Sequence, residues 1–208
     1  MAANLGKEEI SAGLSKARTE ALTDGIFAFA MTLLVMTINV PVEVPAGTTN
    51  ENIHAMLSTH IVDIVHYAVA FLILAIFWVS HHQLWSKLKY LDNRLLWLNL
   101  AGLLFVALLP FSTAFAETYV NFPLAAIVFE MNILLVWLPM YLQWRHLRGH
   151  AVLRAEGLDA KTLDRTERRT LVLPVVTVVA IAIAISGSTW STALYLLTPL
   201  LIKLADRK

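Results

Sequence analysis

Apolar residues run through this chain in long uninterrupted stretches, and polar residues collect between them. A helix that crosses a hydrocarbon core of about 30 Å needs about 20 mostly apolar residues. Four stretches meet that length at once, over residues 19–40, 60–84, 94–115 and 122–144. A fifth apolar block runs on to residue 204 and holds 34 residues from Leu171. As one helix it would extend about 51 Å, too long for a single crossing. The run Ile185-Ser186-Gly187-Ser188-Thr189 supplies a turn near its middle. The block is therefore read as two short helices, 170–186 and 189–204. The expected architecture is an all-α membrane protein, one six-helix transmembrane domain over residues 1–208.

Charge placement supports six spans. The 16 Lys and Arg residues all fall before the first span, between spans two and three, between four and five, or at the C-terminal end. The alternate loops, 41–59, 116–121 and 187–189, contain none. By the positive-inside rule both termini are cytoplasmic; the expected location is the cell (plasma) membrane. Five spans would strand Lys203, Arg207 and Lys208 on the wrong side. Trp85, Trp144 and Trp190 stand at predicted interfaces, as members of an aromatic belt. The basic segment 145–169 reads as a solvated cytoplasmic loop that helps set topology, with a lipid-headgroup role as the competing reading.

Composition agrees. Of 208 residues 58% are apolar and 15% charged, and mean hydropathy is +0.66. A soluble domain carries about 25% charge, so a soluble globule and a disordered chain are both excluded. Net charge is only +1, and its distribution is more telling than its sum. With no cysteine there is no disulfide framework, thiolate metal site or cysteine nucleophile. The polar N-terminus predicts no cleavable signal peptide. Neither GxSxG, Walker A nor GxGxxG occurs, and no loop is large enough to be a catalytic domain, so an enzyme is not expected.

Ionisable and amide side chains inside spans are costly, about 2.5–3.5 kcal/mol for a charge at mid-helix, and each needs a reason. Asp24, Asp63, His66, His81, His82, Asn99, Glu130 and Asn132 are such residues. His81 and His82 project about 100° apart on a helix and make a poor chelating pair; no fixed metal site is expected. Asp63 and His66, spaced i, i+3, suggest a local hydrogen bond. Glu130 is either buried against a partner such as Asn132 or Tyr141, or placed in a permeation path.

The first span carries the most specific pattern. With Phe29 as origin and 100° per residue, Gly25 lies at about −40°, Thr32 at about −60° and Met36 at about −20°, while Asp24 turns away at about −140°. One face thus bears an apolar–hydroxyl–apolar stripe. Ordinary helix packing produces such stripes; around a symmetry axis the same stripe becomes a stack of rings.

The run Arg18-Thr-Glu-Ala-Leu-Thr23-Asp24-Gly25 resembles the R-x-x-x-F-S-D hallmark of the transmembrane protein 175 family of potassium channels. Phe77-Trp78-Val-Ser-His81-His82, Leu96-Trp97-Leu-Asn99-Leu100 and Leu108-Leu-Pro110-Phe111 also resemble its prokaryotic members. Leu22 and Thr23 depart from the hallmark, though Thr keeps the hydroxyl. The resemblance implies a homotetramer with the first helix lining a central pore. Its pore positions fall on Phe29, Thr32 and Met36. Its structural polar network falls on Arg18, Thr23, Asp24, His81, Trp97 and Asn99. The function so implied is passive conduction of potassium ions, with no resident cofactor and no nucleic-acid partner. A proton- or cation-coupled secondary transporter is the competing reading, although no internal repeat of the kind transporters carry is evident.

Overall fold

A computed structural model describes residues 15–38, 47–188 and 191–205. These residues are helical, and among them no strand forms beyond one isolated bridge, Leu88 to Arg154. The helices are α1 (Lys16–Leu33), α2 (Asn50–Thr59), α3 (Ile61–Trp85), α4 (Asn93–Thr118), α5 (Pro123–Gly149), α6 (Ala160–Ile185) and α7 (Thr198–Ala205). Short 3-10 segments follow α1 (Leu34–Thr37), follow α5 (Ala151–Leu153) and precede α7 (Ser191–Leu197).

Local chemistry sets most of these boundaries. Ser15 starts α1, its hydroxyl accepting from the Arg18 N–H. Asp92 caps α4 through the Leu95 N–H at 2.8 Å. Asp159 caps α6 through the Thr162 N–H at 2.9 Å. A side-chain oxygen in each case satisfies an amide that the first helical turn leaves unpaired. Pro123 opens α5, where its missing N–H costs nothing. Gly187 takes φ +88° just after α6, a conformation that disfavours any Cβ, so the chain turns within the expected stretch.

Five helices are long and apolar enough to cross a bilayer. The sixth expected span has a different construction. Residues Ser191–Ala205 form seven residues of 3-10 helix and then eight of α-helix, with Pro199 in the first turn of the latter. A 3-10 helix rises about 2.0 Å per residue, so the two pieces laid end to end reach about 26 Å, close to the hydrocarbon thickness. Two further boundaries differ from expectation. Helix α2 occupies part of the segment taken as an outer loop, with Thr49 and Asn52 bonded to each other at its start. Helix α6 begins ten residues before the expected 170, because Asp159 caps it there.

Two apolar clusters lie along the bundle. The larger joins Phe27 and Ala30 of α1 to Ile73 and Phe77 of α3, Leu103 and Val106 of α4, Ile133 of α5, Val176 of α6 and Tyr195. The smaller, at the end where α1 begins, gathers Trp85, Leu95, Trp144, Leu147, Leu153 and Leu163. Trp85 and Trp144 are both buried there, which corrects their assignment to an aromatic belt. The reason is a cover. Residues 150–155 fold back over the α3–α4 connection, with Lys89 N–H to Leu153 O and Ala155 N–H to Lys87 O both at 2.8 Å. Trp190 lies outside the described residues.

Candidate functional site

Helix α1 divides into two faces. Thr19, Thr23, Phe27 and Ala30 are buried, and Leu34 and Thr37 continue that row into the 3-10 segment. Gly25, Phe29, Thr32 and Met36 are exposed, Phe29 at 65% and Met36 at 74%. The buried row recurs every three to four residues, so the two faces are a direct consequence of the helical period.

The buried face is anchored by a polar chain through three helices. The Thr23 hydroxyl donates to Thr19 O at 2.8 Å. It accepts the Asn99 amide N–H from α4 at 2.9 Å. The Asn99 carbonyl oxygen faces His81 Nε2 of α3 at 2.9 Å. With the Asn99 oxygen as acceptor, the His81 proton is on Nε2. His81 stacks on Trp85, ring centroids 4.9 Å apart, and Trp85 Nε1–H donates to Gln143 of α5 at 3.2 Å. The run α1–α4–α3–α5 is thus tied by side chains that all find partners within the bundle, as membrane burial requires.

Of the six residues placed in a polar network, the structure brings Thr23, His81 and Asn99 together. Asp24 joins a neighbouring bond instead: its Oδ1 accepts the Trp78 indole N–H at 2.9 Å. Arg18 is exposed, and among the described residues no ion pair joins it to Asp24. Trp97 is 64% exposed, on the outside of α4. The residues that sequence reasoning missed are Trp78 and Gln143. Trp78 stood within a quoted motif, and an indole in mid-span was the available signal; nothing in sequence spacing links Gln143 to Trp85.

The exposed face holds the candidate pore positions. The Thr32 hydroxyl donates its proton to Phe29 O at 2.8 Å. Its oxygen therefore offers lone pairs outward, the polarity a cation requires. The 3-10 turn changes the angles. From Leu34 onward each residue advances about 120°, which moves Met36 from about −20° to about +40° relative to Phe29. Thr32 and Met36 then flank Phe29 on opposite sides instead of sharing one narrow strip. Beyond them the segment is held by Thr37, whose hydroxyl bonds Leu34 O at 2.8 Å and Glu117 of α4 at 3.3 Å. Glu117 is a further residue not singled out in sequence, although it is a carboxylate within the last turn of an apolar span.

The other in-span polar groups lie elsewhere. Asp63 accepts from His60 at 2.8 Å and not from His66, because His60 sits one turn earlier at the start of α3. Glu130 is fully buried, and neither carboxylate oxygen has a hydrogen-bond partner among the described residues. Its expected partners are engaged otherwise, Asn132 with Ser112 at 3.0 Å and Tyr141 stacked on Trp137. Among the described residues no group of His, Asp and Glu has the grouping of a metal site.

At the terminal end, Lys16 Nζ donates to Leu88 O at 2.8 Å, tying the start of α1 to the α3–α4 connection. That connection also carries Lys89, whose ammonium bonds Glu156 at 2.9 Å. The bond raises the Lys89 pKa and lowers that of Glu156. His146 and Asp92 close at 2.6 Å between α5 and the α4 cap.

Residues 18–110, which contain both faces of α1 and its partners Trp78, His81 and Asn99, match the family model described as endosomal/lysosomal potassium channel TMEM175. A protein of Streptomyces collinus named as a potassium channel is 34% identical over 157 residues, covering 73% of this chain and 74% of that one. The chain belongs to the TMEM175 family. Another relative, named as a potassium channel of Chamaesiphon minutus, is 28% identical over 170 residues, 80% of this chain and 83% of its own. The crystal structure of a homolog, from Chamaesiphon minutus, of the lysosomal potassium-selective channel TMEM175 superimposes with a TM-score of 0.70 at 23% identity. It covers 93% of this chain and 98% of that one, so the TMEM175 fold extends over the second half, beyond residue 110. The chain is a multi-pass membrane protein of a channel family, not an enzyme.

Proposed function

We propose that this TMEM175-family chain forms a homotetrameric, potassium-permeable cation channel in the cell membrane, with both termini cytoplasmic and α1 around the central pore. The two bacterial relatives named as potassium channels support the potassium permeability. The observation that carries the pore assignment is the division of α1. One face is locked into the subunit by Thr23, Asn99 and His81, and the other leaves Phe29, Thr32 and Met36 exposed. Four copies around an axis would stack a Phe29 ring, a Thr32 hydroxyl layer and a Met36 ring. Apolar rings hold back water and ions by dewetting, and hydroxyl oxygens replace part of an ion's hydration shell. Passive conduction along such a stack needs no cofactor; potassium is the cargo. Arg18, Asp24 and Trp97, exposed on the single subunit, are placed at contacts with neighbouring subunits or at the pore mouth. The family assignment favours this reading over a coupled transporter.

The test is potassium flux from liposomes containing the purified protein, with valinomycin marking total releasable potassium, beside the oligomeric state in detergent. Flux together with a tetramer is expected. A monomer, or a tetramer that releases no potassium, overturns the reading. Orientation is read separately. A cysteine at Thr48 should react with an impermeant thiol reagent in intact cells and one at Glu156 should not.

A further inference from the structure

Helix α6 carries its cations before its apolar residues, and the two lie in line on one face. With Lys161 as origin and 100° per residue, Arg165 falls at about +40° and Arg168 at about −20°. Val175 and Val179 follow at about −40° and 0°. All five are exposed, Val175 at 60% and Val179 at 46%. The buried side of α6 packs on α5 and α7, whereas α1 packs on α3 and α4. The exposed row is therefore turned away from the bundle and from α1.

The three cations are uncommitted. Among the described residues no hydrogen bond or ion pair engages the side chain of Lys161, Arg165 or Arg168. The acids of the same turns point aside and are occupied. Asp164 and Glu167, at about −60° and −120°, are both engaged by Arg148. Asp159, at about 160°, caps the helix. Spacings of four and three residues put neighbouring cations about 5–6 Å apart at Cβ, close enough to act on one headgroup.

Leu163 marks their depth. It packs with Trp85, Trp144 and Leu147, in the last turns of α3 and α5. The 27 residues of α5 extend about 40 Å, so about 5 Å stands outside a hydrocarbon core of about 30 Å at each end. Leu147 falls in that outer part, and Leu163 is level with it. Relative to Leu163, Lys161 lies about 3 Å farther out, Arg165 about 3 Å and Arg168 about 7.5 Å farther in. Side chains of a helix tilt toward its N-terminus, here the headgroup side. Arg168 thus lays its stem along the apolar face and lifts its guanidinium toward Arg165.

We propose that the Lys161–Arg165–Arg168 face of α6 binds the headgroup of an anionic phospholipid from the leaflet on the side of the chain termini, with the acyl chains along Val175 and Val179. The planar fork of each Arg matches phosphate oxygens. A zwitterionic headgroup brings its own cation and gains little from the face. The inference rests on the packing of α6 and is read by binding, so its failure and a failure of the conduction reading are separate results.

The experiment titrates the delipidated full-length protein with phosphatidylglycerol or with phosphatidylcholine of identical chains, counting bound lipid by native mass spectrometry. Wild type should prefer phosphatidylglycerol. Arg165→Gln should lower that preference about fivefold, the scale of one interfacial cation. Lys161→Gln, Arg165→Gln and Arg168→Gln combined should abolish it and leave phosphatidylcholine binding intact. Lys89→Gln, the same charge change on the α3–α4 connection, should leave the preference as it is. Soluble glycerol phosphate should fail to displace phosphatidylglycerol. Equal affinities of wild type for the two lipids, a preference that survives the triple variant, an equal loss with Lys89→Gln, or displacement by glycerol phosphate as effective as by lipid would each overturn the proposal; the last would leave a plain anion site.

Discussion

The two faces of α1 obey different rules, although they alternate along the same 22-residue apolar stretch. The inner face is explained completely by the subunit. Each of its polar groups has a named partner, and Phe27, Ala30 and Leu34 fill the main cluster. The outer face is exposed among the described residues. Phe29 and Met36 are among the most exposed large side chains of the molecule, and Thr32 turns its hydroxyl back on its own helix. In lipid, burying an apolar group inside protein gains little over leaving it among acyl chains, so packing and hydrogen bonds hold membrane helices together. A face with no hydrogen bond to another helix among the described residues is therefore free to be shaped by what passes along it or binds to it. The inner face sets where α1 stands, and the outer face sets what α1 presents.

That division can be broken from either side. The largest effect is expected for Asn99→Leu, which removes the link between Thr23 and His81 and strands the His81 N–H in the bundle. Each stranded buried group costs about 1–3 kcal/mol, so yield of folded protein and thermal stability in detergent should fall sharply. An Asn99→Leu protein as stable as wild type would show that the inner face is not the anchor.

Next comes Phe29→Asn, which should replace a dewetting ring with a wettable one. Potassium flux should rise several-fold and discrimination among cations should fall, with oligomeric state unchanged. Leu33→Asn, one face over, is the control. If it opens the pathway while Phe29→Asn leaves flux alone, the outer stripe has been placed on the wrong side of α1.

Thr32→Val should act more gently, since it keeps the shape and removes only the outward oxygen. Assembly and total flux should hold, and the potassium-to-sodium ratio should decline. An unchanged ratio would move selectivity to another layer.

The smallest effect belongs to the surface pair Lys89–Glu156. Glu156 has a lowered folded pKa, so its contribution is present above the ordinary carboxylate value and lost as pH falls. Lys89 has a raised one, so its share is present below the ordinary lysine value and lost as pH rises. The pair is therefore at full strength only between about pH 4.3 and 10.4 and fades beyond both ends, and it is weak, being exposed and screened by salt. Glu156→Gln should shift the melting temperature slightly at pH 7 in low salt, and progressively less as pH falls below the ordinary carboxylate value. A shift that stays the same as pH falls would mean that residues 150–155 are held over the α3–α4 connection by shape, not by charge.

Sequence alone determined the five long apolar helices, because hydrocarbon thickness imposes a length on apolar runs. It also determined which side of α1 is which as far as Thr32, since the helical period is a property of the backbone. It could not show that Asp24 meets Trp78 or that Asp63 prefers His60 to His66. These pairings depend on which helices lie side by side, and many arrangements satisfy the same hydropathy. Nor could it show that Trp85 and Trp144 are roofed by residues 150–155, because a tryptophan at a span end fits an interface and a buried cluster equally well. The 3-10 turn that carries Met36 around Phe29 ends where Thr37 reaches Glu117, 80 residues away in the chain. Only the tertiary structure brings that carboxylate to the hydroxyl, and with it decides the direction in which the outer end of α1 points.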